Sequence, residues 1–166
     1  MVHLFSVAFF FAWATAVAID DCRDRRIPNA LVISGLIAVF IFTAGRHNPF
    51  GTTLSGALLG GGIGLVSLFP FFALRVMGAA DVKVFAVLGA WCGISALPWL
   101  WIVASIAAGL HALGVMLLTR TSLVTLWRGG TPTFALGARR STPYAACLVV
   151  PAACWLAYLT YTGGAQ

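Results

Sequence analysis

Six continuous apolar runs fill most of this chain, at about residues 4–19, 30–44, 53–74, 82–97, 98–118 and 144–162. A helix that crosses a bilayer needs about 20 mostly apolar residues. The runs are unbroken rather than alternating, which predicts helices and disfavours a membrane β-barrel. The composition agrees: 61% of residues are hydrophobic and 8% charged, and the mean hydropathy is +0.99. Soluble domains carry about 25% charged residues. An ordinary soluble globule, a disordered tail and a nucleic-acid-binding protein are therefore excluded. The expected fold is all-α: one polytopic membrane domain over residues 1–166 with six transmembrane helices, the second and fourth of them short.

The few charges orient these helices. Segments 20–29, 75–83 and 119–143 alternate onto one side. They hold Arg23, Arg25, Arg26, Arg75, Lys83, Arg120, Arg128, Arg139 and Arg140, while the other side has only Arg46. Basic loops stay in the cytoplasm, so both termini are expected outside. The net charge of +6 thus reports loop placement rather than affinity for nucleic acid. Residues 1–18 end in Ala16-Val17-Ala18, an A-x-A pattern. The start Met1-Val2-His3 lacks the lysine or arginine of a signal peptide, so the run reads as a retained helix.

Other features have plainer readings. Gly56, Gly60 and Gly64, and again Gly89 and Gly93, recur every four residues. Such small faces let helices approach closely in lipid; packing within the chain is expected, with a dimer face as the alternative. Leu123, Leu126 and Trp127, between Arg120 and Arg128, suggest a segment lying at the membrane interface. His111 falls inside the fifth run and reads as a buried donor. Cys22, Cys92, Cys147 and Cys154 show no C-x-x-C and no zinc spacing, and His3, His47 and His111 are scattered. No metal, cofactor or disulfide framework is expected.

The chemistry is sought among four acids, Asp20, Asp21, Asp24 and Asp81, since the chain has no glutamate. Asp20 and Asp24 have ready partners in Arg23, Arg25 and Arg26 in a wet loop. Asp81 follows Gly78-Ala79-Ala80 and opens the fourth helix. It has two readings, an N-cap or a functional carboxylate at the membrane boundary. Two carboxylates in close reach cannot both ionise easily, so one keeps a proton and the other acts as base. Such a pair activates water and protonates a leaving amide nitrogen. Small residues beside one of them let a substrate backbone come near.

Asp21-Cys22-Arg23-Asp24-Arg25-Arg26-Ile27-Pro28-Asn29 resembles the D-x-R-x-x-x-I-P-N segment of type IV prepilin peptidases. Gly78-Ala79-Ala80-Asp81-Val82-Lys83 resembles their G-x-G-D-x-K segment, with Ala80 in place of the second glycine. Thr142-Pro143-Tyr144-Ala145 opens the last helix in the same manner. The resemblance suggests the small, methylase-lacking branch, the CpaA/TadV-like enzymes. It implies an intramembrane aspartic endopeptidase of the bacterial cytoplasmic membrane. Asp21 and Asp81 would be its catalytic pair, and Gly78, Ala79, Ala80 and Lys83 would stand near the substrate. The implied substrate is a prepilin or pseudopilin of the Flp type, with a basic leader before an apolar helix. N-methyltransferase activity is not expected. Asn29 is expected to cap the second helix. A proton-coupled transporter and a non-catalytic subunit of a secretion machine are the alternatives. The acids lie at one face and none reaches the midplane, which tells against a proton relay.

Overall fold

A computed structural model describes residues 2–24, 26–118 and 143–163. Arg25, the interfacial segment expected around Trp127, and Arg120, Arg128, Arg139 and Arg140 lie outside the described residues. Within them the chain forms six α-helices: α1 Val2–Arg23, α2 Asn29–Ala44, α3 Leu54–Ala73, α4 Ala79–Cys92, α5 Leu97–Leu118 and α6 Tyr144–Tyr161. A short 3-10 turn, Ile94–Ala96, precedes α5. There is no strand among the described residues. Four stretches are long and apolar enough to cross a membrane: Val2–Arg23, Leu54–Ala73, Ile94–Gly114 and Tyr144–Tyr161. α2 has 16 residues and α4 has 14. At 1.5 Å per residue a helix of 14 residues is about 21 Å long, short of a hydrocarbon core of about 30 Å.

The fourth and fifth apolar runs meet at Leu97 and Pro98 in the sequence, but the chain breaks earlier. α4 ends at Gly93, whose φ is +80°. Glycine takes that conformation freely. Pro98 lies in the first turn of α5, where a missing N–H does no harm.

α4 is the central helix. Val84, Val87, Leu88, Ala90 and Trp91 are fully covered. α3 lies against it backbone to backbone. A Cβ on Gly60 would collide with the carbonyl of Gly89, and one on Gly89 with the carbonyl of Gly60. A Cβ on Gly64 would stand 3.0 Å from the Phe85 carbonyl oxygen. The glycine repeat therefore serves packing within the chain. Gly56 departs from it, facing Thr52 and the capping Thr53.

On the other side of α4, Phe9 and Phe10 of α1, Phe42 of α2 and Trp91 form an aromatic knot. Phe10 and Trp91 stand edge to face with ring centroids 5.3 Å apart. Trp13 Nε1 donates to the Leu31 carbonyl at 2.8 Å and ties α1 to α2. Away from these contacts the surface is apolar: Ile37, Ile41, Leu58, Leu59, Val66 and Leu110 are exposed. In water so large an apolar surface drives association; lipid accepts it. His111, expected to be buried, is exposed on α5. It sits past the part of that helix that packs on α6, so no neighbouring helix covers it among the described residues.

Candidate active site

α1 runs on beyond its apolar run, through Arg23. The loop expected from residue 20 therefore begins later, and Asp20 and Asp21 belong to the last turns of the helix. Phe10, Ala14, Val17 and Asp21 are all buried. Their spacing of four, three and four residues marks one inward face of a helix. Asp21 is 5% exposed, whereas Asp20 is half-buried and Asp24 exposed. One position along a helix turns the side chain by about 100°, so of two adjacent aspartates only Asp21 points inward.

Asp81 is in the first turn of α4, but it is not the N-cap; Gly78 is. From three residues inside the helix the Asp81 carboxylate accepts the N–H of Gly78. This is the reach-back half of a capping box. The same carboxylate accepts the N–H of Ala145, and Asp21 Oδ2 accepts the N–H of Ala146 at 2.8 Å. Two carboxylates from different helices thus meet two consecutive backbone donors at the start of α6.

The local sequence of α6 explains the arrangement. Its N-cap is Pro143, which makes no side-chain capping bond. The first N–H groups of a helix have no partner within it, and here the aspartates supply partners. The positive end of the helix dipole favours negative charge at the same place. Asp81 stands just ahead of the apolar run that starts at Val82. Burial is the larger influence on it and the charge of Asp21 the next; together they push its pKa up to about 6, against the two N–H bonds that pull it down.

The other site residues fall around this pair. A Cβ on Gly78 would stand 3.1 Å from Asp81 Oδ2, so glycine leaves the carboxylate room. Ala79 and Ala80 lie in the first turn of α4. Ala80 is helical, so alanine in place of the motif's second glycine meets no left-handed backbone. Lys83 Nζ donates to Asn29 Oδ1 at 2.8 Å. Asn29 is the first residue of α2 and not its cap, a place taken by Pro28. Cys22 is exposed and Cys147 half-buried.

Apolar grooves flank α6 on both sides. One of about 320 Å³ is lined by Ala18, Cys22 and Val149, and one of about 740 Å³ by Val103, Ala107, Ala146 and Cys147. A cavity of about 610 Å³ around Arg46 and Thr52 lies at the other end of the bundle, away from the acids. The sequence reading missed Ala145 and Ala146, which act through the backbone. Their one signal is a proline, which has no capping group, directly ahead of an apolar helix.

A model of the type IV leader peptidase family matches residues 8–113 of the chain. The chain belongs to the type IV leader peptidase family. The part matched to that family holds both Asp21 and Asp81 and ends before α6. Among curated proteins, the prepilin leader peptidase/N-methyltransferase of Aeromonas salmonicida (strain A449) is 31% identical over 117 residues, 67% of this chain and 40% of that protein. The protein of that name from Escherichia coli (strain K12) is 26% identical over 157 residues, 90% of this chain and 64% of its own length. That of Vibrio cholerae is 28% identical over 97 residues, 55% of this chain and 38% of that protein. This member of the leader peptidase family thus spans less than two thirds of the length of these relatives. No solved structure matches it significantly.

Proposed function

We propose that this chain is an aspartic endopeptidase that removes the leader from type IV prepilins at the cytoplasmic face of the membrane. The observation that carries the proposal is the meeting of Asp21 and Asp81, from α1 and α4, at the consecutive N–H groups of Ala146 and Ala145. The names of the relatives support the substrate class. Asp81, raised to about 6, is the member that holds a proton. Asp21 is given the role of base and takes a proton from water. The water oxygen adds to the scissile carbonyl, and Asp81 passes its proton to the leaving amide nitrogen. The reaction so written uses two carboxylates and one water.

Gly78, Ala79 and Ala80 leave space for the substrate backbone next to Asp81. The substrate's apolar helix lies in the bilayer and its basic leader in the cytoplasm. This orientation places six helices across or within the membrane and both termini outside. The Flp-type substrate and the methylase-lacking branch rest on the resemblance of the two motif segments.

The test is cleavage of a prepilin from the same genome by purified protein. Asp21→Asn and Asp81→Asn should each lower the rate by about a thousandfold or more, while the protein still inserts. If Asp20→Asn abolishes cleavage and Asp21→Asn does not, the assignment is wrong. A cysteine placed at residue 47 should label from outside and one at residue 130 should not; the reverse pattern overturns the orientation.

A further inference from the structure

The bond between Lys83 and Asn29 takes no part in the proton transfers above, yet it joins the two segments that carry the aspartates. Lys83 Nζ donates to Asn29 Oδ1 at 2.8 Å, from the beginning of α4 to the first residue of α2. Helix positions two apart do not face each other. Lys83 therefore points away from the Asp81 carboxylate and toward α2.

Asn29 is one short turn beyond Asp21. That turn is anchored by Ile27, 8% exposed, and by Pro28, whose ring holds φ at −62°. Two residues beyond Asn29, the Leu31 carbonyl accepts the Trp13 indole N–H at 2.8 Å, so a displacement of the start of α2 is passed to α1. At the aspartate end, α1 and α4 are joined on the inside through the first turn of α6. The Lys83–Asn29 bond adds a second tie on the exposed rim, from α4 to the first residue of α2. Its donor is charged, which makes it stronger than a bond between neutral groups.

We infer that Lys83 and Asn29 are a positioning pair, a strap across the rim of the site that sets the separation of Asp21 and Asp81. The inference rests on the proposed peptidase reading for its kinetic consequences, but not for its structural one. Lys83 then acts through Asn29 and not on the substrate.

Two measurements test it together. In cleavage of the prepilin, Lys83→Met and Asn29→Leu should each lower kcat by about 10- to 100-fold, the cost of a small misplacement of reacting groups. KM should stay within about twofold, and the double variant should be no worse than either single one. Lys83→Arg, which keeps a charged donor, should recover most of the rate. A rise in KM at constant kcat for Lys83→Met, or strictly additive losses, overturns the strap.

The second measurement needs no activity. Nitroxides at Cys22 and at Ala79→Cys, with Cys92, Cys147 and Cys154 replaced by serine, report the spacing of the two aspartate segments by dipolar EPR. Lys83→Met should lengthen or broaden that distribution, and an unchanged distribution overturns the inference. If the unaltered protein and Asp81→Asn give the same result with prepilin, the peptidase reading fails, and the EPR result alone decides the strap.

Discussion

Asp21 lies in the last turn of α1 and Asp81 in the first turn of α4, so the two carboxylates meet opposite ends of a helix dipole. The N-terminal end of α4 favours the charge of Asp81, and the residue also takes the N–H of Gly78 from its own segment. The C-terminal end of α1 disfavours the charge of Asp21. Asp21 is the more deeply buried of the two, and Ala146 on α6 is one of its partners. Both acids are bound by the first turn of α6, while the dipoles of the helices that carry them act in opposite senses. The difference predicts that damage to the start of α6 affects the two unequally.

The largest effect should come from removing the donors one at a time. Ala146→Pro deletes the N–H that Asp21 accepts, and Ala145→Pro the one that Asp81 accepts. Proline is tolerated in the first turn of a helix, so both variants should insert. A hydrogen bond to a charged group is worth about 1.5–3 kcal/mol. Ala146→Pro should therefore cost about 100-fold in cleavage rate, and Ala145→Pro, which leaves the Gly78 bond in place, about tenfold. Equal losses would mean that the two acids are held alike.

The pH profile sharpens the same contrast. A carboxyl raised from 3.8 to about 6 keeps its proton through the range in which a free aspartate has lost it. The rate of cleavage should fall as the pH rises through about 6 and Asp81 ionises. Ala145→Pro removes a bond that favours the charged form, so it should move this fall to higher pH. A shift to lower pH would contradict the assignment of the proton to Asp81.

A smaller effect is expected away from the acids, and on stability. Gly60→Ala puts a methyl into the backbone seam between α3 and α4, whereas Gly62 has nothing within 4 Å of its would-be Cβ. Overpacking of this kind costs about 1–3 kcal/mol, so Gly60→Ala should lower the melting temperature and Gly62→Ala should not. The smallest effect belongs to Asp20→Asn and Asp24→Asn. These side chains point away from the site, and each variant should cleave within about twofold of the unaltered protein. A large loss from either would break the distinction between inward and outward acids.

What was legible beforehand follows the physics of each signal. Apolar runs survive as helices because their composition alone decides them, and α2, α3 and α6 begin and end within two residues of the runs. The four-residue glycine spacing names Gly60, Gly64 and Gly89 correctly because close backbone approach admits no other residue. Asp21 is separated from Asp20 by its motif register, and the inward face of α1 makes the same choice. The end of α1 differs from the expectation because Asp20, Asp21 and Arg23 read as loop by polarity, whereas Asp21 points inward to Ala146 and the helix runs on through Arg23. The role of Ala145 and Ala146 left no trace in side-chain chemistry. Asn29 reads as a cap by residue type, and only the position of α4 reveals Lys83 as its partner.

The contact between Gly60 and Gly89 has a mechanical meaning. Where two helices touch through side chains, rotamer changes absorb small slides and rolls. Where they touch through the main chain, no such bearing exists, and a shift of either helix drives the carbonyl of one glycine into the Cα of the other. α3 and α4 therefore move as a single strut, and Asp81, at one tip of that strut, is the fixed jaw of the site. α1, by contrast, meets α4 through side chains such as Phe10 and Trp91, which can give where a main-chain seam does not.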